Sequence, residues 1–192
     1  KQDAKNHNEL SVILNKIKPN IIIHLAAVSH ANRSNKDPHY TFENSFRTLE
    51  NSLDYAKNNV EHFIFSSSSM VYGNFKKPEV NEDDKCDPIG IYGVLKYAGE
   101  KLINSYNQVF GLPYTIIRTS ALYGERCISR RVGQIFIESA INNKEIFING
   151  DGSEKLDFTY IQDFIQGFVK TIENKKSKNE IFNITFGSGR SI

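Results

Sequence analysis

Cysteine and methionine are nearly absent from this chain, and so are long apolar runs. The two cysteines, Cys86 and Cys127, lie far apart and form neither a C-x-x-C pair nor a pairing with histidine. That spacing excludes the usual zinc motifs and gives no support to a disulfide, so both read as free thiols. The lone methionine is Met70 and the chain starts at Lys1, which sets the expectation of a fragment of a longer gene product. No uninterrupted apolar stretch reaches the roughly 18 residues of a membrane span, and the first residues are polar rather than signal-like. The expectation is therefore no membrane association and a cytosolic setting.

Charge of one sign is also scarce. A formal net charge of +2, with no basic stripe interleaved with aromatics, argues against nucleic acid as a partner. Lys175, Lys176 and Lys178 follow the end of a helical pattern, where cations suit the dipole and solvent. What remains is the balance of a globular chain. Its 192 residues, 39% hydrophobic and 24% charged, suffice for a domain with a sizeable core and do not look disordered.

Short β-rich runs alternate with longer amphipathic ones. The strands read at 21–27 (I-I-I-H-L-A-A), 62–66 (H-F-I-F-S) and 114–119 (Y-T-I-I-R-T), and the helices at 40–57, 92–109 and 131–142. That order predicts an α/β fold with a parallel sheet flanked by helices. The first two strands are apolar almost throughout, which places both in the middle of the sheet. The texture changes after Tyr123: E-I-F-I-N-G-D-G-S reads as a strand and turn, and 160–173 as another helix. The domain expectation is 1–122 for one region and 123–192 for a second that covers a substrate. The stretch 74–88, rich in Lys, Glu, Asp and Pro, is expected to be a long surface connection.

The chemistry-bearing signal is a serine run, F-S-S-S-S-M-V-Y-G at 65–73, followed by Y-G-V-L-K at 92–96. A serine hydroxyl, a tyrosine and a lysine can move a proton off an alcohol if the three meet in space. Y-x-x-x-K alone decides little, because it occurs three times: Tyr72 with Lys76, Tyr92 with Lys96, and Tyr97 with Lys101. Tyr72 falls in a loop where positions i and i+4 share no face. Tyr97 lies on the same helix as Tyr92, but at about 100° per residue it points elsewhere. Tyr92 follows the turn D-P-I-G-I at a helix start, with Lys96 one turn on. A phenol ionises at about 10, so acting as a base near neutrality needs a drop of roughly three units, about 4 kcal/mol. A neighbouring ammonium has the right sign to supply it.

These segments resemble the extended short-chain dehydrogenase/reductase family, specifically its nucleotide-sugar epimerases and dehydratases. H-L-A-A at 24–27 resembles the family's strand-end loop beside the cofactor, and the serine run its serine or threonine motif. Y-G-V-L-K-Y-A-G-E reproduces the family's Y-G-x-x-K-x-x-x-E through Glu100, and G-D-G-S-E-K-L-D-F-T-Y-I-Q-D at 150–163 resembles its sugar-nucleotide segment. The resemblance implies a Rossmann-type sheet with helices on both faces, without its first βαβ unit, since the G-x-x-G-x-x-G loop that cradles a dinucleotide is missing. It implies NAD as cofactor and a nucleotide-diphosphate sugar as substrate. Ser68, Tyr92 and Lys96 would be catalytic, with Ser68 and Tyr92 also touching the sugar. Asp3, Leu25, Ala26, Ala27, Asn44, Ser66, Ser67 and Thr119 would join Tyr92 and Lys96 around the cofactor. No metal is implied, and a homodimer through the helices at 40–57 and 92–109 is.

The resemblance has gaps that bear on the reaction. The family's asparagine after the third strand is replaced by Ala121, and its diphosphate-binding arginine by Leu156 beside Lys155. Arg126, Arg130 and Arg131 either supply the missing cation or are solvated; the sequence leaves both open. The acids that dehydratases carry after the serine or threonine are Ser69 and Met70 here, and Met70 cannot protonate a leaving hydroxyl. A-A-V-S-H-A-N-R-S at 26–34 nevertheless resembles a dehydratase loop, in which His30 and Arg33 would face substrate. The expectation is a 4-epimerase-like reaction. The alternatives are a 4,6-dehydratase or ketoreductase, and, outside enzymes, an inert dinucleotide-binding protein.

Overall fold

A computed structural model describes residues 2–127, 131–148 and 150–192. The chain divides into two compact units. The first runs to Arg118 and includes Asn174–Asn183; the second is Thr119–Glu173 with Ile184–Ile192.

The first unit begins with helix α1 (His7–Ile17), which leads to strand β1 (Ile21–His24). Asn6 caps α1 by accepting the Glu9 amide, and a left-handed Lys18 closes it. α1 has no counterpart among the sequence expectations; none of its residues is buried. Two short helices follow, α2 (Ala31–Lys36) and α3 (Pro38–Thr41). α3 continues through a π-helical segment, Phe42–Arg47, into α4 (Thr48–Ala56). Strand β2 (His62–Ser66) leads through a 3₁₀ turn, Ser69–Tyr72, and an irregular stretch to the long helix α5 (Gly90–Phe110) and strand β3 (Tyr114–Thr119). A left-handed Gly111 ends α5. The expected helices at 40–57 and 92–109 and strands at 62–66 and 114–119 are all present.

The main sheet has the order β1-β2-β3-β6, with β6 at Glu180–Ile184. β1 pairs with β2 and β2 with β3, both in parallel. Phe63, Ile64, Phe65, Ile116 and Ile117 are buried to within a few per cent, as strands covered on both faces must be. α4 and α5 cover the sheet with Leu49, Leu53, Ala56 and Ile103, which pack on Phe63, Phe65 and Ile116. One expectation fails. β1 is an edge strand, not a central one, and Ile21 and Ile23 stay 37% and 42% exposed, since only β2 pairs with it among the described residues.

In the second unit, β4 (Ala121–Tyr123) and β7 (Gly189–Ser191) flank β5 (Lys155–Tyr160), β4 in parallel and β7 antiparallel. The helices are α6 (Val132–Ile141) and α7 (Ile161–Glu173). The strand expected at E-I-F-I-N does not form over its described part: 145–148 takes no regular structure, its Ile146, Phe147 and Ile148 are exposed, and Asn149 lies outside the described residues. The strand forms later, at Lys155–Tyr160, where Asp157 accepts the amides of Phe186, Gly187 and Ser188 and ties the turn before β7 to β5.

Candidate active site

Helix α5 decides where the candidate residues lie. Gly93 lets its first turn press against the 3₁₀ turn that follows Ser68: a Cβ at Gly93 would stand 2.7 Å from the Met70 carbonyl oxygen. Gly99 performs the same service two turns on, against Leu49 and Phe65. So Tyr92, Lys96 and Glu100 line one stripe of a helix held close to the end of β2.

Lys96 is buried. Its Nζ donates to the Ser66 carbonyl and lies 4.8 Å from the Phe65 ring centroid and 5.8 Å from that of Tyr92. Burial pushes its pKa down to about 8, partly offset by the Glu100 carboxylate one turn further along. Glu100 accepts from the Ser67 hydroxyl and is clasped by Arg118 through Nε at 3.0 Å and a terminal nitrogen at 2.7 Å. Arg118 also donates to the Tyr72 hydroxyl at 2.8 Å, and that hydroxyl donates to Asn183. Ser68, also buried, caps the 3₁₀ turn by accepting the Met70 amide at 3.2 Å. The serine run is thus held from α5 at two successive residues, by Lys96 at Ser66 and by Glu100 at Ser67.

A narrow cleft forms where Tyr92, Leu95 and Lys96 meet Ala26 and Ala27, with Phe65 behind them. Thr41, Ser45 and Leu49 form its remaining wall. Those three were missed in the sequence, although their spacing of four residues puts them on one helical face. Ser45 and Thr48 also fix the loop after β1: Ser45 Oγ accepts the Val28 amide at 2.9 Å, and the Thr48 hydroxyl lies 3.2 Å from the Ala26 carbonyl. The π segment that carries Ser45 is the kind of local rewinding that often accompanies functional sites.

His24, at the end of β1, is buried at 6.1 Å from the Phe63 and Phe65 rings, and its Nε2 has no hydrogen-bond partner among the described residues. Burial and the Lys96 charge push its pKa down to about 4, so it stays neutral at physiological pH.

The other expected site residues are spread more widely. Leu25 is exposed, and Asn44 donates to the Tyr40 carbonyl at 2.8 Å. Asp3 is exposed in the turn before α1, where it accepts the Lys5 amide. His30 precedes α2 without capping it, and the Arg33 guanidinium lies 4.9 Å from the Tyr40 ring centroid. Thr119, Arg126 and Arg131 belong to the second unit. The Thr119 hydroxyl is buried without a partner among the described residues, Arg126 takes a positive φ of 64°, and Arg131 stands exposed before α6. Arg130 lies outside the described residues. Of the competing pairs, Tyr97 lies under Lys101 at 5.0 Å, and Tyr72 is engaged in the Arg118 network.

The profile of the NAD dependent epimerase/dehydratase family matches residues 1–185. This chain belongs to that family. A putative UDP-glucose 4-epimerase of Methanocaldococcus jannaschii is 33% identical over 177 residues, 90% of this chain and 57% of that protein. A dTDP-D-glucose 4,6-dehydratase of Dictyostelium discoideum is 30% identical over 91% of this chain and 43% of its own length. The solved structure of UDP-glucuronic acid 4-epimerase from Bacillus cereus, in complex with UDP-glucuronic acid and NAD, superposes with a TM-score of 0.91 at 34% identity, covering all of this chain and 60% of that one. The chain spans about half the length of the curated relatives it matches. The fold of the family, a parallel sheet flanked by helices, is the one described above.

Lys96 costs stability in this setting, which yields a prediction. Below pH 8 the lysine is charged in both the folded and the unfolded chain, and the folded chain bears the full desolvation. Between about pH 8 and 10.5 the folded state sheds the proton first, so wild-type stability rises over that window. Lys96→Met is therefore expected to stabilise the protein at pH 7 by about 2 kcal/mol, a gain that fades towards pH 10.5. Urea titrations at pH 7 and pH 10 measure it, and a variant less stable than wild type at pH 7 would refute the account.

Proposed function

We propose that the protein catalyses NAD-dependent epimerisation of a nucleotide-diphosphate sugar at a ring hydroxyl such as C4. The observation that carries this reading is the cleft in which Tyr92 and the buried Lys96 ammonium, set by one helix, stand against the Ala26–Ala27 loop. Support for the ligands comes from the Bacillus cereus 4-epimerase, which was solved with UDP-glucuronic acid and NAD.

The mouth of the cleft is proposed to meet the nicotinamide end of such a cofactor. Ala26 and Ala27 add no bulk on one side, and an ammonium carries three protons, of which the Ser66 carbonyl takes one. Lys96 can therefore hold ribose hydroxyls with the remainder. Leu25, Asn44, Ser66, Ser67 and Thr119 are proposed to complete this contact, and Asp3 to meet the adenine. When bound, NAD supplies the acceptor that takes hydrogen from the sugar carbon and later returns it to the opposite face. Tyr92 removes the hydroxyl proton and gives it back. The Lys96 charge favours the phenolate that this requires, and Ser68 holds the same sugar oxygen. His30 and Arg33 are proposed to face the sugar, and Arg126, Arg130 and Arg131 its diphosphate.

A homodimer in the cytosol completes the proposal. Val94, Val109 and Phe110 leave apolar surface exposed on α5, which a second copy of the chain could cover. The dehydratase reading draws on the relative from Dictyostelium, but the 3₁₀ turn offers Ser69 and Met70 where an acid would be needed. Incubating the full-length protein with UDP-sugars, once with NAD and once with NADH, separates the readings. A 4-epimer formed without net NADH change supports epimerisation. A 4-keto-6-deoxy product, net NADH consumption or no turnover would overturn it.

A further inference from the structure

The start of α5 is capped from another element. The residue before it, Ile89, has no side-chain oxygen, so the first-turn amides lack the local acceptor that most helices provide. Asn35, on α2, supplies it: its Oδ1 accepts the Ile91 amide at 3.0 Å, across 56 residues of sequence. The fit is close. Gly90 adopts a φ of +74°, and a Cβ added there would stand 3.1 Å from Asn35 Oδ1 and 3.4 Å from its Nδ2.

The base on which Asn35 stands is itself fastened. Ser34, beside it, is fully buried and donates to the His30 carbonyl at 3.0 Å. Thr41, equally buried, donates to the Asp37 carbonyl at 2.8 Å, with the Ser34 carbonyl within 3.5 Å. Asp37 in turn caps α3 by accepting the Tyr40 amide at 2.9 Å. Thr41 also lines the cleft. A hydrogen-bonded path therefore runs from the cleft wall, through Ser34, to Asn35 and the first turn of α5. The residue after Ile91 is Tyr92.

We propose that Asn35 is a positioning residue for Tyr92, holding the first turn of α5 so that the phenol stays over Lys96. The proposal rests on Tyr92 being the acid and base, as read above. Asn35 reaches Tyr92 only through the backbone, and it sits on the helix whose start carries His30 and Arg33. An uncapped first turn would fray, and Tyr92 would spend part of its time out of line with Lys96, one turn on. The chemical step would slow in proportion, whereas sugar binding, which draws on many other contacts, would change little.

The test uses three variants of the full-length protein. Asn35→Ala is expected to lower kcat about tenfold with KM within about twofold, and to speed exchange of the Ile91 amide by a similar factor. Asn35→Asp keeps an oxygen acceptor in place and suits the positive end of the helix, so it should return kcat and Ile91 protection to within about threefold of wild type. Because Asn35 is exposed, both variants should fold, and their thermal midpoints check this. Unchanged kcat in Asn35→Ala, or an Asn35→Asp variant as slow as Asn35→Ala, overturns the proposal. Tyr92→Phe serves as the control: near-normal turnover there overturns the reading of the site, whereas an inactive Tyr92→Phe beside a normal Asn35→Ala overturns the positioning role alone.

Discussion

Replacing Tyr92 with Phe is expected to lower kcat by two to four orders of magnitude, the range that a single well-placed acid or base contributes. The fold should survive. Tyr92 is partly exposed, and the substitution keeps the ring that packs beside Leu95 and stands 5.8 Å from the Lys96 ammonium. The stability change should stay within about 1 kcal/mol, the net worth of an ordinary hydrogen bond. KM should move little, since on the proposed mechanism the phenol's main work is on the proton in flight and its contact with the sugar is one among many. Tyr97→Phe is the natural contrast. Its ring lies under Lys101, away from the cleft, so that variant should retain wild-type turnover. Steady-state epimerisation assays on the two proteins, with circular dichroism to confirm folding, decide the matter; comparable loss in both would mean that neither tyrosine is the base.

Much of this site could be read from the chain because its signals are local. The tyrosine at a helix start, the lysine one turn on and the glutamate a further turn on lie on one stripe whatever the rest of the fold does, since helical geometry alone sets their spacing. β2 was equally legible, being apolar at nearly every position and buried on both faces. β1 carries the same pattern and sits at an edge, because strand order depends on pairing partners that composition does not encode. E-I-F-I-N failed for a related reason: β propensity makes a strand only where a neighbour accepts its hydrogen bonds, and among the described residues none pairs with it. Asn35 was invisible for a different cause. It caps a helix from 56 residues away, while capping signals read from sequence assume the residue next door. Arg118 likewise read as one residue of a strand, and its importance comes from what the fold places around it.

Arg118 and Glu100 are the site of the largest expected loss of stability. Both side chains are 3% exposed, and their charged groups meet at 2.7 Å. A buried pair of this kind adds little net stability over an apolar pair of the same volume, but removing one partner strands the other charge in a medium that solvates it poorly. Glu100→Gln is therefore expected to cost about 3 to 5 kcal/mol, and to lower the thermal midpoint by roughly 10 °C. Changing both together, Glu100→Leu with Arg118→Met, should cost distinctly less, although there Ser67 and Tyr72 each lose a hydrogen-bond partner. Chemical denaturation of the single and double variants measures the difference; a single variant within about 1 kcal/mol of wild type would show that the pair is not sealed from water. The loss reaches the candidate active site as well. The Glu100 carboxylate is the group that offsets the burial of Lys96, whose other titratable neighbours among the described residues are Tyr92 on its own helix and the neutral His24 of β1. Without that carboxylate the Lys96 pKa moves further below 8, so the ammonium discharges at a lower pH. In the surviving folded fraction, the alkaline limb of the pH–activity profile should shift towards neutrality, because the positive charge proposed to favour the Tyr92 phenolate is lost just where the wild type still carries it.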